Sequence, residues 1–591
     1  VADLLAIIAH DHRESIAPED LEQLIATHES LRGPAQRRQL EGGGRVRACV
    51  LGRPTPSAGI EREGDGWTAW AGSRTAMAMT APLAELDGQF ALLRLDPGGE
   101  TVRLATDQLG MKPLYAAVSG ARTFVATSAL VLAKHLRAAP SRAGLEAFLR
   151  SGLQFGQATQ WQGIERLRPA EVREFGASGP STSTYAEPRL DEDVGRLSLS
   201  EAAELCIERA SAAIAARYGS ERPWVDLTGG FDSRLLSLLT RRAGFEPIAN
   251  TFGAEGDEDV RLARRVAAAC GWPWTRIDLP PDWTARLPEL LGEAVAWGDG
   301  HLDALPLAAV LLGHREKAEQ GALLLNGGGG EEFRDHPWGH ELWSAGRTTT
   351  VNYRRLIAWR LLLPVDLSAL RSDPTAAVTA AFREELETRA RPFESMPNTF
   401  QGDLLYAYKM TGHSGAYQAA AGASIDLEVP FYLRPILLNV ISVAPRHRRF
   451  HRLMREMIVQ LDPRVAAIPT ETGGPAEPLR PGNLPRFAPY AWRRANRFAN
   501  RARGRLPNFG ADGAEAADGP AEAAQSALVA ELRRDGRLDP ATMRSASLYD
   551  RERLSELLGR AVSHPMGVDW AAVGRIVTVE LALEAAGAGL D

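Results

Sequence analysis

The sequence predicts a mixed chain, α/β and α+β, in which an antiparallel β-rich part precedes a parallel-sheet part that ends in helices. Three observations carry this. Up to about residue 190, short apolar runs are separated by Gly, Asp and Pro, as at Leu4 to His10, Arg45 to Leu51, Gln89 to Leu95, Val102 to Thr106, Pro113 to Val118 and Phe124 to Thr127. After about residue 195, strand-like and helix-like segments alternate. The last part is largely helical in its spacing. At 591 residues the chain exceeds one ordinary domain. Boundaries are placed at 1–195, 196–480 and 481–591.

Each element has its own signal. In the first part, Glu19 to Thr27 and Leu145 to Leu149 have helical spacing among the strands. In the second, strand-like Trp224 to Leu227 precedes helix-like Ser233 to Arg242. Strand-like Pro247 to Phe252 precedes helix-like Glu258 to Ala269, and strand-like Thr275 to Leu279 follows. A helix over Leu307 to Glu319 then precedes strand-like Ala322 to Asn326. Such βαβα order implies a parallel sheet covered on both faces, with ligands at the carboxyl ends of its strands. In the third, Arg486 to Arg505 carries seven arginines with Phe487, Tyr490, Trp492 and Phe498 interleaved. This reads as a solvated helical face, or as a surface for an acidic peptide or carrier protein. Ala511 to Ala524 reads as a mobile loop.

Composition excludes several function classes. The net charge of -6 gives no reason to expect nucleic-acid binding. No apolar run reaches the length of a membrane span; Leu356 to Leu370, the most tempting, contains Arg360 and Asp366. The start, Leu4 to Ala9, lacks a basic flank and a cleavage-like site, so no signal peptide is expected. Cys49, Cys206 and Cys270 are widely spaced, which predicts buried thiols in a reducing compartment and a cytoplasmic protein.

The most informative stretch is Val225-Asp226-Leu227-Thr228-Gly229-Gly230-Phe231-Asp232-Ser233-Arg234. An apolar strand ends in a hydroxyl, two glycines, an acid and a serine, and a helix follows. Glycines let a backbone approach an anion, and the helix N-terminus offers N–H groups. Asp232 suits such a turn if Mg²⁺ lies between it and pyrophosphate. The Gly-Lys-Ser/Thr ending of a Walker A loop is absent. The stretch resembles the PP-loop, S-G-G-x-D-S, of enzymes that cleave ATP to AMP and pyrophosphate, with Thr228 in place of the first serine. A second strand ends in Asn326-Gly327-Gly328-Gly329-Gly330-Glu331-Glu332-Phe333. Two such turns at adjacent strand ends can grip one nucleotide.

Together these motifs resemble the asparagine synthetase superfamily, whose second motif is S-G-E-G-S-D-E-x-F. Thr251-Phe252-Gly253 and Leu427-Glu428-Val429-Pro430-Phe431 are similar to further family segments. Leu86-Asp87-Gly88-Gln89-Phe90-Ala91 and Ala105 to Tyr115 resemble the family's glutaminase domain. The resemblance covers residue 4 to about 475. It implies an N-terminal αββα sandwich of the N-terminal-nucleophile type and a second domain of the adenine-nucleotide α-hydrolase type. It implies that Leu227, Thr228, Gly229, Gly230, Phe231, Asp232, Ser233, Asn326, Gly327, Gly328, Gly329 and Gly330 bind ATP, with Thr251 and Phe252 near the adenine. Asp232 and Glu331 would hold Mg²⁺, and Asp232, Glu331, Ser233 and Arg234 would carry the chemistry.

The chain departs from the family in ways that matter. Class II glutaminases use an N-terminal cysteine; this sequence begins Val1-Ala2-Asp3, and Trp70-Ala71-Gly72-Ser73-Arg74 stands where glutamine is held. Valine cannot replace a thiolate, so no glutamine hydrolysis is expected. Asp87, Asp107 and Lys112 then read as structural, and Glu428 as a structural acid. Gly328 replaces a family Glu, and Ala467 to Gly473 holds no counterpart of a family Lys; His413, Lys409, Tyr417 and Arg434 are the substitutes considered. These losses point to relatives with an inactive glutaminase domain, such as β-lactam synthetases and lasso-peptide cyclases. The reaction expected is adenylation of a carboxylate on a small molecule or peptide and attack by an amine, in specialised-metabolite tailoring such as ring closure. An ammonia-dependent asparagine synthetase-like enzyme and a non-catalytic nucleotide-binding homologue are the alternatives.

Overall fold

The computed structural model describes residues 2–11, 14–52, 58–72, 78–218, 222–280, 282–319, 323–341, 343–502 and 520–590, without the side chains of 494, 497–502 and 520–523. Three sheets organise them. The first contains β1 (Ala2–Ala9), β2 (Arg37–Gly42), β3 (Val46–Gly52), β8 (Tyr115–Ser119), β9 (Arg122–Ala126) and β10 (Ile164–Arg166). The second contains β4 (Ala58–Glu63), β5 (Gly66–Gly72), β6 (Phe90–Leu95), β7 (Val102–Thr106), β11 (Glu171–Gly176) and β12 (Gly179–Thr184). Their orders are β10-β8-β9-β1-β3-β2 and β12-β11-β7-β6-β5-β4. All neighbours in both run antiparallel.

The period-2 geometry of a strand explains why β1 is apolar from Leu4 to Ala9. Leu4, Ala6 and Ile8 face the second sheet, in one core with Ala69, Ala71, Ala91 and Leu93. Leu5, Ile7 and Ala9 face the helices, in a core with Leu21, Leu24 and Leu130. The result is sheet on sheet with a helical layer outside.

The third sheet is fully parallel, in the order β15 (Trp274–Ile277), β14 (Ile248–Phe252), β13 (Trp224–Asp226), β16 (Leu323–Leu325), β17 (Asp426–Glu428). Both faces are covered, as parallel sheets require. Val225, Leu323 and Leu325 lie in one core, whereas Trp224, Leu324 and Leu427 lie in the other. The chain runs from β13 outward to β15, then returns to add β16 on the other side of β13. That reversal creates a crevice at the carboxyl ends of β13 and β16, where open α/β sheets bind ligands. Both glycine turns leave from these two strands.

The two halves share an interface. A Cβ on Gly415, in the helix Asn398–Ala421, would lie 1.8 Å from the Met111 carbonyl oxygen, so only glycine lets that helix lie on the N-terminal unit. Gln89 donates to the Val429 carbonyl at 3.0 Å and accepts from Gln418 at 2.9 Å. The C-terminal helices Pro520–Arg534, Arg551–Ser563 and Trp570–Ala586 pack back on the N-terminal half through Leu528, Leu557 and Val577. Beneath the second turn, Arg448 and Asp403 form a fully buried bidentate pair at 2.5 and 2.7 Å. Breaking such a pair costs about 3–5 kcal/mol, because it strands a buried charge.

Several boundaries differ from those read in the sequence. The helix expected from Leu307 begins at Ala304, capped by Asp303 accepting from the Leu305 N–H at 3.1 Å. The loop expected over 511–524 ends sooner, because the helix Pro520–Arg534 has begun. Val1, Ser73, Arg74, Ala322, Arg503, Arg505 and residues 511–519 lie outside the described residues. Among the described residues, no helix is long and apolar enough to cross a membrane.

Candidate functional site

Leu227 continues β13: its N–H donates to Asn250 at 2.8 Å, and the Thr251 hydroxyl donates to its carbonyl at 2.8 Å. Thr251 thus pins the entry to the loop, held in turn by Trp274 Nε1 at 3.0 Å. Beyond it the loop folds on its own hydroxyls. Ser233 Oγ accepts from the Thr228 N–H at 3.0 Å and lies 2.9 Å from Thr228 Oγ1, which accepts from the Gly230 N–H at 3.1 Å. The helix Phe231–Arg242 starts at Gly230 with no side-chain cap.

The second turn is locked against the first. Asn326 Oδ1 accepts from the Gly328 N–H at 2.9 Å, and its amide donates to Asp226 at 3.2 Å. A Cβ on Gly327 would lie 3.0 Å from the Ser233 nitrogen, and one on Gly330 would lie 2.1 Å from Asp232 Cγ. Gly329 has φ +88°, a left-handed position beside the Tyr432 ring. The two turns therefore interlock, with the Asp232 carboxylate laid on Gly330, next to Glu331.

The two acids of the second motif part company. Glu332 is fully buried, and burial, with Asp403 adding like charge, holds its carboxyl well above the usual range. Glu331 lies on the site side: Lys409 and Tyr406 both feel its charge. Its Oε2 is buried without a hydrogen-bond partner. Among the described residues no set of three His, Cys, Asp or Glu side chains could hold a metal alone. Asp232 and Glu331 are nonetheless hard oxygen donors of the kind Mg²⁺ accepts when phosphate oxygens and water complete its shell. The orphaned Glu331 oxygen fits that use.

Arg234 requires a correction. Expected among the catalytic residues, it is fully buried and faces the protein interior. It donates to the carbonyls of Val465 (3.3 Å), Ile468 (2.8 Å), Gly229 (3.2 Å) and Pro469 (3.0 Å), clasping the loop to the 465–469 segment. Arg234→Met is expected to lower stability by about 3 kcal/mol, since buried acceptors lose their donor. Thermal unfolding, compared with nucleotide affinity in the variant that remains folded, checks this; an unchanged melting temperature with lost chemistry would restore the catalytic role. Phe252 is 47 % exposed and packs beside Gly313, leaving an open aromatic face at the end of β14.

Three residues that sequence reasoning did not single out surround the loop. Asp259 Oδ1 accepts from the Gly229 N–H at 3.0 Å, the donor that an anion at this turn would have to win from it. Glu471 donates its N–H to the Gly229 carbonyl at 3.2 Å, and its carboxylate lies 3.2 Å from where a Cβ on Gly230 would stand. Surrounding protein, with Asp259 and Asp232 adding like charge, raises its carboxyl to about 7, although the residue keeps an opening to solvent. Arg334 Nη2 lies 3.7 Å from Asp232. The acids and Arg334 sit in ordinary-looking contexts, so only the fold brings them together.

Of the substitutes considered for the family lysine, Lys409 lies over the Tyr406 ring at 5.4 Å. The protein around it lowers its ammonium to about 8, against the pull of Glu331. His413 is beside Lys409, and Tyr417 hydrogen-bonds His314 at 3.1 Å. Arg434 is elsewhere, in a groove of about 370 Å³ with Asp87, Arg189 and Arg209. In the N-terminal unit, Asp107 accepts from four backbone N–H groups, of Phe90, Leu109, Met111 and Lys112, and Asp87 pairs with Arg217 at 2.6 Å.

Residues 76–186 match the model of a glutamine amidotransferase domain, and residues 210–461 that of asparagine synthase. No curated protein matches. Among solved structures, glutamine phosphoribosylpyrophosphate amidotransferase from B. subtilis, complexed with ADP and GMP, is similar at 10% identity, 46% coverage of this chain and a TM-score of 0.22. A structure described as the allosteric regulatory enzyme of purine biosynthesis is similar at 10% identity, 42% coverage and a TM-score of 0.21. The chain spans 65% and 64% of their own lengths, just under two thirds. With a region matching a glutamine amidotransferase domain followed by one matching asparagine synthase, the chain belongs to the asparagine synthetase superfamily.

Proposed function

We propose that this chain uses ATP to adenylate a substrate carboxylate and passes the acyl group to an amine, in the tailoring of a peptide or other specialised metabolite. The observation that carries the reading is the interlock of the two turns, which lays Asp232 on Gly330 and leaves Glu331 Oε2 buried without a partner. In the first step a carboxylate oxygen bonds to the α-phosphorus and pyrophosphate leaves. In the second the amine nitrogen bonds to the acyl carbon, AMP leaves and the amine loses a proton.

Mg²⁺ held by Asp232 and Glu331 would neutralise charge on the departing pyrophosphate. The chain's own groups do the rest. The uncapped helix start at Gly230 receives phosphate oxygens, and the Gly229 N–H does so where phosphate displaces Asp259. Lys409, whose ammonium is coupled to Glu331, is the substitute best placed to stabilise developing negative charge. Holding the amine of the same molecule beside the acyl-adenylate favours ring closure through effective molarity.

The N-terminal unit is proposed to act without glutamine hydrolysis. Cys49 and Cys206 are buried, and burial raises the Cys49, Cys206 and Cys270 thiols to about 11, 12 and 11, far from the thiolate a nucleophile needs. Three free thiols also suit a cytoplasmic setting. The test is pyrophosphate release from Mg-ATP across a panel of carboxylates and peptides, with ammonium, glutamine or neither. The reading expects release with a peptide or metabolite acid and no stimulation by glutamine. Strict dependence on aspartate and ammonium would overturn it.

A further inference from the structure

The segment from Pro478 to Ala502 contains six arginines and no acidic residue, in a chain whose net charge is -6. It forms the 3-10 turn Pro481–Phe487 and the helix Ala488–Ala502. Its inner side is fixed to the nucleotide loop. Phe487 stacks under Arg455 at 5.2 Å, and Arg455 lies at 4.9 Å over Phe231 of the loop itself. Arg493 pairs with Glu258 at 3.0 and 3.2 Å and donates to the Glu471 carbonyl. Tyr490 and Phe487 close on Gly474. The outer side is different. Leu479, Leu484 and Trp492 are 60 %, 54 % and 68 % exposed, and Ala488, Pro489, Ala491 and Ala495 are exposed beside them.

A solvated helix normally turns a polar face of mixed charge outward. Here the outward positions of the first turns are apolar, and the segment's own charges are all positive, with Arg486 and Arg493 paired to Glu477 and Glu258 outside it. Exposed Trp and Leu in a segment that carries arginines and no acid have the composition of a binding patch. We propose that this strip is the docking surface for an acidic peptide carrying apolar side chains, the non-reacting stretch of the substrate. This rests on the reading above that the substrate is a peptide. The strip is anchored through Phe231 and Glu471, so a peptide docked there lies at the rim of the nucleotide site and delivers its carboxylate to it. A short acidic segment stays within the basic strip, whereas a long polyanion or an anionic bilayer extends past it onto a chain whose net charge is -6, so the short segment is the favoured occupant.

Fluorescence anisotropy on the full chain tests the proposal, with a labelled peptide of Glu, Leu and Phe, its Gln-for-Glu counterpart, a single-stranded RNA oligonucleotide and phosphatidylserine vesicles. The acidic peptide is expected to bind at least about tenfold more tightly than the Gln peptide at low salt, weakening as salt rises. The double variant Leu484→Glu/Trp492→Glu is expected to lose about tenfold or more, while its affinity for α,β-methylene-ATP is unchanged, which also shows that it is folded. Equal binding of the Gln peptide, an unaffected double variant, or RNA or vesicles held by the strip in place of the peptide each overturns the proposal. Peptide docking without pyrophosphate release from any acid would fell the adenylation reading alone; release without docking would fell only this one.

Discussion

Asp232→Ala is expected to lower pyrophosphate release by about 10²–10³-fold or more, the range for removing one group that stabilises transition-state charge. The reason is positional. Asp232 projects from the first turn of the helix Phe231–Arg242 onto Gly330 of the second turn, so it serves both. Its side chain is part-exposed and supports no core, so the variant is expected to fold and to melt within a few degrees of the wild type. Steady-state release at saturating Mg-ATP, alongside thermal unfolding, checks both halves. Activity within tenfold of wild type would remove Asp232 from the machinery.

Gly330→Ala is the second large effect, and it adds only a methyl group. Its Cβ would stand 2.1 Å from Asp232 Cγ and 2.5 Å from Asp232 Oδ1, distances at which atoms cannot coexist. The Asp232 carboxylate must therefore move, or the 330–333 turn must shift, and either separates the two acids. The expected loss is about 10²-fold, comparable with misplacing a reacting group by an ångström. Gly339→Ala is the control, because its Cβ would meet Arg360 at an ordinary 3.7 Å. Pyrophosphate release for the two variants should differ by that factor; equal activities would show that the turns need not interlock.

Much of this site was legible in the sequence because it is local. A hydroxyl, two glycines and an acid after an apolar strand announce the first turn, and four glycines announce the second. The parallel sheet follows from alternating segments whose strands, such as Leu323–Leu325, are apolar on both faces. What was not legible is non-local. Arg234 sits beside Asp232 and Ser233 in the motif, yet helix geometry turns it inward onto carbonyls of residues 465–469. Asp259 reads as one more acid at a helix start until the fold lays it on Gly229. Glu331 and Glu332 are neighbours in sequence but face site and core. Edge strands such as β2 and β12, polar and exposed, lack the apolar run that marks a buried strand. Lys409 stood in the sequence only as one of four candidate substitutes, because about 80 residues separate it from the glycine turn and no motif spans that distance.

Two turns from β13 and β16 are proposed to hold one magnesium nucleotide between Asp232 and Glu331. Calorimetric titration with α,β-methylene-ATP tests it without any knowledge of the substrate. Clear binding is expected with Mg²⁺, and a loss of about tenfold or more in EDTA, in Asp232→Ala and in Glu331→Ala, with all proteins folded. Binding that is equal in EDTA and in both variants would contradict it.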